Sequence, residues 1–538
     1  MPRHRPETAA AGDERFPRRG SRARGLGCPT THHRGEGIAM ATPDAHDTPL
    51  APEHTPTQPA QSARPVYAPR RPELHVTAEA GIVGAPAGAI YAHGTWHIFH
   101  QYRASVDRSA RWAHQVSFRH AYDWDVCTDV LAAATHATTD NVWAGSAVPK
   151  GAGAWLYYTT TTGWPDNTAT TIQRASIEDL QATVEHLDED ATAVDPLVVH
   201  HGSVLDDIAG YTRLRSPCVL PPLDGRYRML VCADDAATGQ PELILCESTD
   251  GHSFHPQGPI VFAGDTGIQP GARLVSPRMI RLRDDVTGTL HDVFITTIEL
   301  PADDAAGTPA RDVTGYLVGR CEGTTFTVAT GFTPIDYGHD FVRPRNTNVA
   351  DDTTFDQAVL FGLMNGAGRF DDGSSHPSLS DEGWANCLSI PRLATLQDGI
   401  LYQTPTPGLR DAIVTSSRAS AWTGIIDTTR GHLRLEIANE AGDVAAIVTH
   451  DGDTLTLDRS FGDFAGSTPA TAPLIVADSD TLTVIVDGST VEVFADGGVV
   501  AMASRIDFRG TPEFTVTTHG GAEILHSEVL RPGLPPLM

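Results

Sequence analysis

Lysine is almost missing from this chain. Of its 39 basic residues only Lys150 is a lysine, and 67 acidic residues leave a formal net charge of −28. Charge of that sign argues against a nucleic-acid partner and against docking on an anionic membrane. No apolar run approaches the ~20 residues a helix needs to cross a bilayer. The 7 cysteines (Cys28, Cys127, Cys218, Cys232, Cys246, Cys321 and Cys387) include no CxxC pair. An odd, scattered set in a long chain makes reduced, buried thiols the expectation, not a disulfide framework. The 24 histidines fall into no HExxH spacing, and Gly-x-Ser-x-Gly and phosphate-binding Gly-rich loops are missing too. Neither a metal nor a cofactor is therefore expected. The amino-terminal stretch is Arg-rich but has no apolar core ahead of a small-residue cleavage site. It does not read as a secretory signal, and a cytoplasmic location is expected.

What the chain has in quantity is turns and short strands, with 50 Gly and 38 Pro in 538 residues. That length exceeds one ordinary core, so two or more domains are expected. Residues 1–65 are rich in Arg, Pro, Ala, His and Thr and poor in large apolar side chains. Such a segment cannot bury enough surface to offset its ordering entropy, and it is expected to be disordered. Across 70–400, β-branched and aromatic runs of strand length recur, such as Tyr157–Gly163, Arg226–Asp234, Glu242–Ser248, His291–Leu300 and Ala358–Asn365. Asp-Gly turns such as Asp224-Gly225 and Asp250-Gly251 separate them. Helical periodicity is nearly lacking, so the class is all-β, a propeller or a sandwich array. Residues 401–412 read as a linker. Residues 413–535 alternate apolar and polar positions, as an antiparallel β-sandwich requires.

The stretch Gly81–Tyr91 reads GIVGAPAGAIY. Its frame resembles the signature that opens glycoside hydrolase family 32, the β-fructosidases, whose members read roughly Gly-Trp-Met-Asn-Asp-Pro-Asn-Gly-Leu-Ile-Tyr there. Pro86, Gly88, Ile90 and Tyr91 hold the frame. Other segments are similar to family segments in chain order: TWHIFHQY (Thr95–Tyr102), Trp112-Ala113-His114, DNVWAGSAV (Asp140–Val148), IDYGHDFVRP (Ile335–Pro344), GWANCLSIPRLATL (Gly383–Leu396) and DGSTVEVF (Asp487–Phe494). The resemblance implies a five-bladed β-propeller followed by a C-terminal β-sandwich. It implies a small-molecule sugar, sucrose or another fructoside, as ligand, with Gln101, Trp112, Trp143, Ser146 and Arg215 lining the pocket. It gives Glu492 a structural role.

Retaining glycosidases need two carboxyl groups about 5–5.5 Å apart, one as nucleophile and one as acid/base. The family adds a third, an Asp in an Arg-Asp-Pro motif. The resemblance places these three at Ala85, Val275 (in LVSP, where the family reads Glu-Cys-Pro) and Ser216 (in RSP). None carries a carboxylate. Loss of a nucleophile alone costs on the order of 10⁶ in turnover. A sugar-binding pseudoenzyme follows, acting alone or beside an active paralogue. The alternative is an active β-fructofuranosidase using relocated carboxylates, with Glu79, Asp140, Asp336 and Asp340 as candidates; Asp residues beside Gly or Asn more often cap turns. Arg103, Arg108 and Arg111 form a basic cluster able to take a phosphate or simply to face solvent.

Overall fold

The computed structural model describes residues 69–534 apart from 106–108, 134–139, 164–168, 186–192, 301–310, 350–353, 366–375, 476 and 478. The expected disorder of 1–65 therefore lies outside the described residues, as do Cys28 and Arg108.

Five four-stranded antiparallel meanders follow one another along the chain. Blade 1 is Gly81–Ala92, Thr95–Arg103, Arg111–Ser117 and Asp125–Ala132; blade 2 is Asn141–Lys150, Gly153–Thr162, Ala169–Ile177 and Val198–Leu205. Blade 3 is Tyr211–Leu223, Arg226–Asp235, Pro241–Ser248 and His255–Pro259; blade 4 is Arg273–Arg283, Leu290–Leu300, Arg311–Glu322 and Thr325–Pro334. Blade 5 is Val342–Val349, Ala358–Met364, Arg392–Gln397 and Ile400–Pro405. The first strand of each blade packs against the first strand of the next. The ring closes where Ala89–Tyr91 of blade 1 pair in parallel with Thr347–Val349 of blade 5. This is the all-β propeller that the regular strand spacing implies.

Local chemistry explains the meanders. His93-Gly94, Asp224-Gly225 and Asp398-Gly399 each close a two-residue hairpin with both residues at positive φ, the turn that matches strand twist. Inner strands are buried on both faces, so Gly81–Ala92 is almost wholly buried and reads as a continuous small-apolar run. Away from the inner strands burial alternates, as in Arg392–Gln397, the third strand of blade 5, where buried and half-buried positions take turns. Two inner-strand glycines are forced by closeness. A Cβ on Gly88 would sit 2.5 Å from the Ala147 nitrogen of blade 2, and one on Gly145 would sit 1.9 Å from the Tyr157 carbonyl oxygen.

The second half is a sandwich of two five-stranded antiparallel sheets. One orders Val500–Arg505, Thr490–Ala495, Asp480–Asp487, Ser420–Asp427 and Glu523–Leu530. The other orders Ala470–Pro473, Thr454–Asp458, Val444–His450, His432–Ala438 and Glu513–His519. Leu433, Leu435, Ile437, Val448, Val484 and Val493 interdigitate between them, all fully buried. The expected linker, 401–412, is displaced: Ile400–Pro405 is the outer strand of blade 5, and 406–419, including the short helix Leu409–Thr415, leads to the first sandwich strand at Ser420. The linker reading missed this because a single edge strand followed by Pro-Thr-Pro-Gly has the composition of a loop.

Polar side chains hold the two halves together. Asp487 accepts the backbone N–H groups of Glu73 and Leu74 and contacts His75 Nδ1 at 2.8 Å. Glu492 accepts the Ile390 N–H and the Arg392 guanidinium. The DGSTVEVF motif is thus a latch on the propeller, and Glu492 has the structural role expected of it. Six cysteines are described, and all six are free and buried; burial pushes the thiols of Cys127, Cys246 and Cys387 up to about 12. Among the described residues no helix is long and apolar enough to cross a membrane.

Candidate functional site

At the ring's centre, the inner strands of blades 3, 4 and 5 share one irregularity. Ser216, Ser276 and Arg343 each precede a proline and each adopt positive φ, at 56°, 53° and 51°. Register shifts mark the same points in the pairing of blades 4 and 5. Blade 1 breaks register at Pro86, and blade 2 between Trp143 and Ser146. Left-handed backbone on a non-glycine residue is strained, and such strain concentrates where a strand must re-aim side chains.

The re-aimed side chains converge. Ala85, Ser216 and Val275, from blades 1, 3 and 4, line a single cavity of about 300 Å³ with Gln101, Trp143 and Arg215. That volume is at the small end of ligand pockets. Trp143 is half-buried, fixed by its Nε1 donating to Thr161 Oγ1 at 3.0 Å.

Two residues expected in this pocket lie elsewhere. Trp112 is completely buried in the core shared by blades 1 and 2, and its Nε1 donates to the Trp143 carbonyl at 3.2 Å; it supports Trp143 from behind. The Ser146 hydroxyl accepts the Val219 N–H at 3.0 Å and borders a separate, much smaller cavity. Trp112, on the third strand of blade 1, and Ser146, on the first strand of blade 2, both serve packing between strands, which family-like spacing does not separate from pocket lining.

The candidate substitute carboxylates are not at the cavity either. Glu79 and Asp140 are exposed and outside the lining. Asp336 is raised to about 6 because burial outweighs the pull of Arg392. Such a shift fits an acid/base, but Asp336 stands at the propeller–sandwich junction, 2.8 Å from Arg392 Nη1. Asp340 is bound by Arg459 and accepts the Arg505 N–H. Of the basic cluster, Arg111 is held by Asp129 and the Ala193 carbonyl.

Sequence reasoning missed the charged residues around the cavity. Glu299 is the one acid among the described lining residues, and Arg273 holds it at 3.2 Å. Arg213, Arg343 and Arg345 line the cavity alongside Arg215. Arg343 stands where the family segment that IDYGHDFVRP resembles has Ala, the one visible signal of this change.

A propeller whose inner strands feed one central cavity, latched to a β-sandwich, defines the class of two-domain β-fructosidase-like glycosidases. The chain belongs to glycosyl hydrolases family 32: the family's N-terminal domain model matches residues 75–405 and its C-terminal model matches 416–524. The sucrose-6-phosphate hydrolase of Bacillus subtilis is 26% identical over 480 residues, covering 85% of this chain and 93% of that protein. The Bombyx mori β-fructofuranosidase in complex with sucrose superposes with a TM-score of 0.66 at 20% identity, covering 88% of this chain and 96% of that one. The exo-inulinase of Aspergillus awamori gives 0.67 at 18% identity, covering 86% and 98%.

Proposed function

We propose that this chain is a sugar-binding member of the family that has lost glycoside hydrolysis. One observation carries the reading: Ala85, Ser216 and Val275 face a single cavity, and none carries a carboxylate; two are apolar, and the Ser216 hydroxyl is uncharged. A retaining mechanism needs two carboxyl groups across the scissile bond. Glu299 supplies at most one and is already held by Arg273. The arginines around the cavity also oppose the positively charged, oxocarbenium-like transition state of glycoside cleavage.

Ligand binding is favoured over a purely structural role beside an active paralogue. A docking face is an open surface patch, whereas this is a concave cavity of ligand size in which Gln101, Arg215 and threonines set polar groups beside the aromatic wall of Trp143. Relatives named for sucrose 6-phosphate hydrolysis make a small fructoside the starting ligand class, and a cytoplasmic site of action belongs to the same proposal. Calorimetric titration of the full chain with sucrose, alongside an assay for released fructose, tests it. Binding without turnover supports the reading. Turnover abolished by Glu299→Gln would replace it with a hydrolase built on a relocated carboxylate.

A further inference from the structure

Beside the cavity lie two buried arginines, Arg345 in its lining and Arg278 next to it, with no carboxylate partner among the described residues. Arg278 is 1% exposed and Arg345 3%. Both donate to the same backbone acceptor, the Gly145 carbonyl, from Arg278 Nη2 at 2.8 Å and from Arg345 Nε at 3.2 Å. Their other acceptors are carbonyls as well: Ser216 and Pro277 for Arg278, Arg343 and Pro344 for Arg345. Arg278 Nε has no hydrogen-bond partner among the described residues. Among the described residues neither guanidinium pairs with a carboxylate; the titratable neighbours are each other, Arg343 and the Cys218 thiol. Buried charges are ordinarily paired, and a guanidinium stays protonated at any working pH.

The walls add to this charge. Arg213 and Arg215 share one acid, Asp234, at 3.2 and 2.7 Å. Arg343 reaches Asp312 only at 3.6 Å. A cavity that in a working glycosidase is acidic is here cationic, and it keeps the size of a small-ligand pocket.

We infer that the cavity binds an anionic sugar, whose carboxylate or phosphate sits on Arg343 and Arg345 in the space left by Ala85, Ser216 and Val275. The ligand then brings the negative charge that the protein no longer supplies. Arg345 lines the cavity and offers Nη2, which has no acceptor among the described residues; Arg278 supports it through the shared Gly145 carbonyl. A planar guanidinium fork matches an oxyanion in two-point geometry. The inference rests on the proposed loss of hydrolysis and names the ligand class of that site.

The test is calorimetric titration of the full chain with fructose, glucuronate, fructose 6-phosphate and inorganic phosphate, on wild type, Arg343→Ala and Arg345→Gln. At least one sugar anion is expected to bind about tenfold or more tighter than fructose, as one charge-assisted contact supplies. The margin shrinks with added salt and is lost in both variants. Arg343 is partly exposed, so Arg343→Ala stays informative if Arg345→Gln fails to fold. Glucuronate ahead of fructose 6-phosphate assigns a carboxylate, and the reverse assigns a phosphate monoester; either supports the inference. Fructose binding as tightly as both sugar anions, anion binding indifferent to Arg343→Ala, or inorganic phosphate matching the sugar anions would overturn it. Hydrolysis of sucrose by wild type would overturn the function proposed above, whatever the anion preference.

Discussion

Arg392 of blade 5 grips Glu492 of the sandwich through two nitrogens, Nε at 3.0 Å and Nη2 at 2.7 Å, and both side chains are fully buried. The same guanidinium lies 2.8 Å from Asp336 and 4.1 Å from the centre of the Phe341 ring. One arginine thus ties three segments of the chain into a single junction. Removing one partner of such a pair strands the other charge in a dry interior.

Glu492→Ala is expected to destabilise the protein by about 3–5 kcal/mol, the usual cost of breaking a buried ion pair from one side. Chemical denaturation followed by fluorescence measures it. A loss below about 1 kcal/mol, as for an exposed pair, would contradict the latch.

His75 gives that junction a pH signature. Burial opposes its protonation, but hydrogen bonds and charges from Asp487 and Glu492 outweigh burial and raise it from 6.5 to about 9. The folded state therefore holds this proton more tightly than the unfolded chain does. Its stabilisation is complete below pH 6.5 and is lost as pH rises through about 9. Melting temperatures of wild type and His75→Gln should differ most near pH 6 and converge towards pH 9.5. A constant difference across that range would refute the assignment.

The two tryptophans at the blade 1–2 seam should separate binding from folding. Trp143→Ala removes the aromatic wall of the cavity and is expected to weaken ligand binding about tenfold or more with a small change in melting temperature. Trp112→Ala empties a fully buried site and is expected to cost about 3–5 kcal/mol of stability. Circular dichroism melts with parallel titrations check both. Equal effects of the two on folding would remove the distinction.

Much of this architecture is legible in the sequence. Hairpins are announced by Asp-Gly pairs and the sandwich by its period-two alternation; the Pro86, Pro217 and Pro277 frames mark Ala85, Ser216 and Val275, the positions to which the family resemblance assigns carboxylates, and the fold brings all three to one cavity. Trp112 and Trp143 were not separable, because both sit in family-like strand motifs and only the fold decides which ring faces the cavity. Arg278 and Arg345 were invisible for another reason. Each follows an X-Pro bulge on a different blade, nearly seventy positions apart, and their meeting at the Gly145 carbonyl depends on ring closure. Lone arginines in a sequence read as solvated charge, and only burial shows otherwise.

The most direct test of the central claim is fructose release from sucrose by the wild-type chain beside a variant carrying Ala85→Asp, Ser216→Asp and Val275→Glu. The account predicts no turnover above background for wild type and measurable turnover for the triple variant, because the scaffold still aims those three positions into one cavity. Turnover by the wild-type chain would contradict it and direct attention to Glu299.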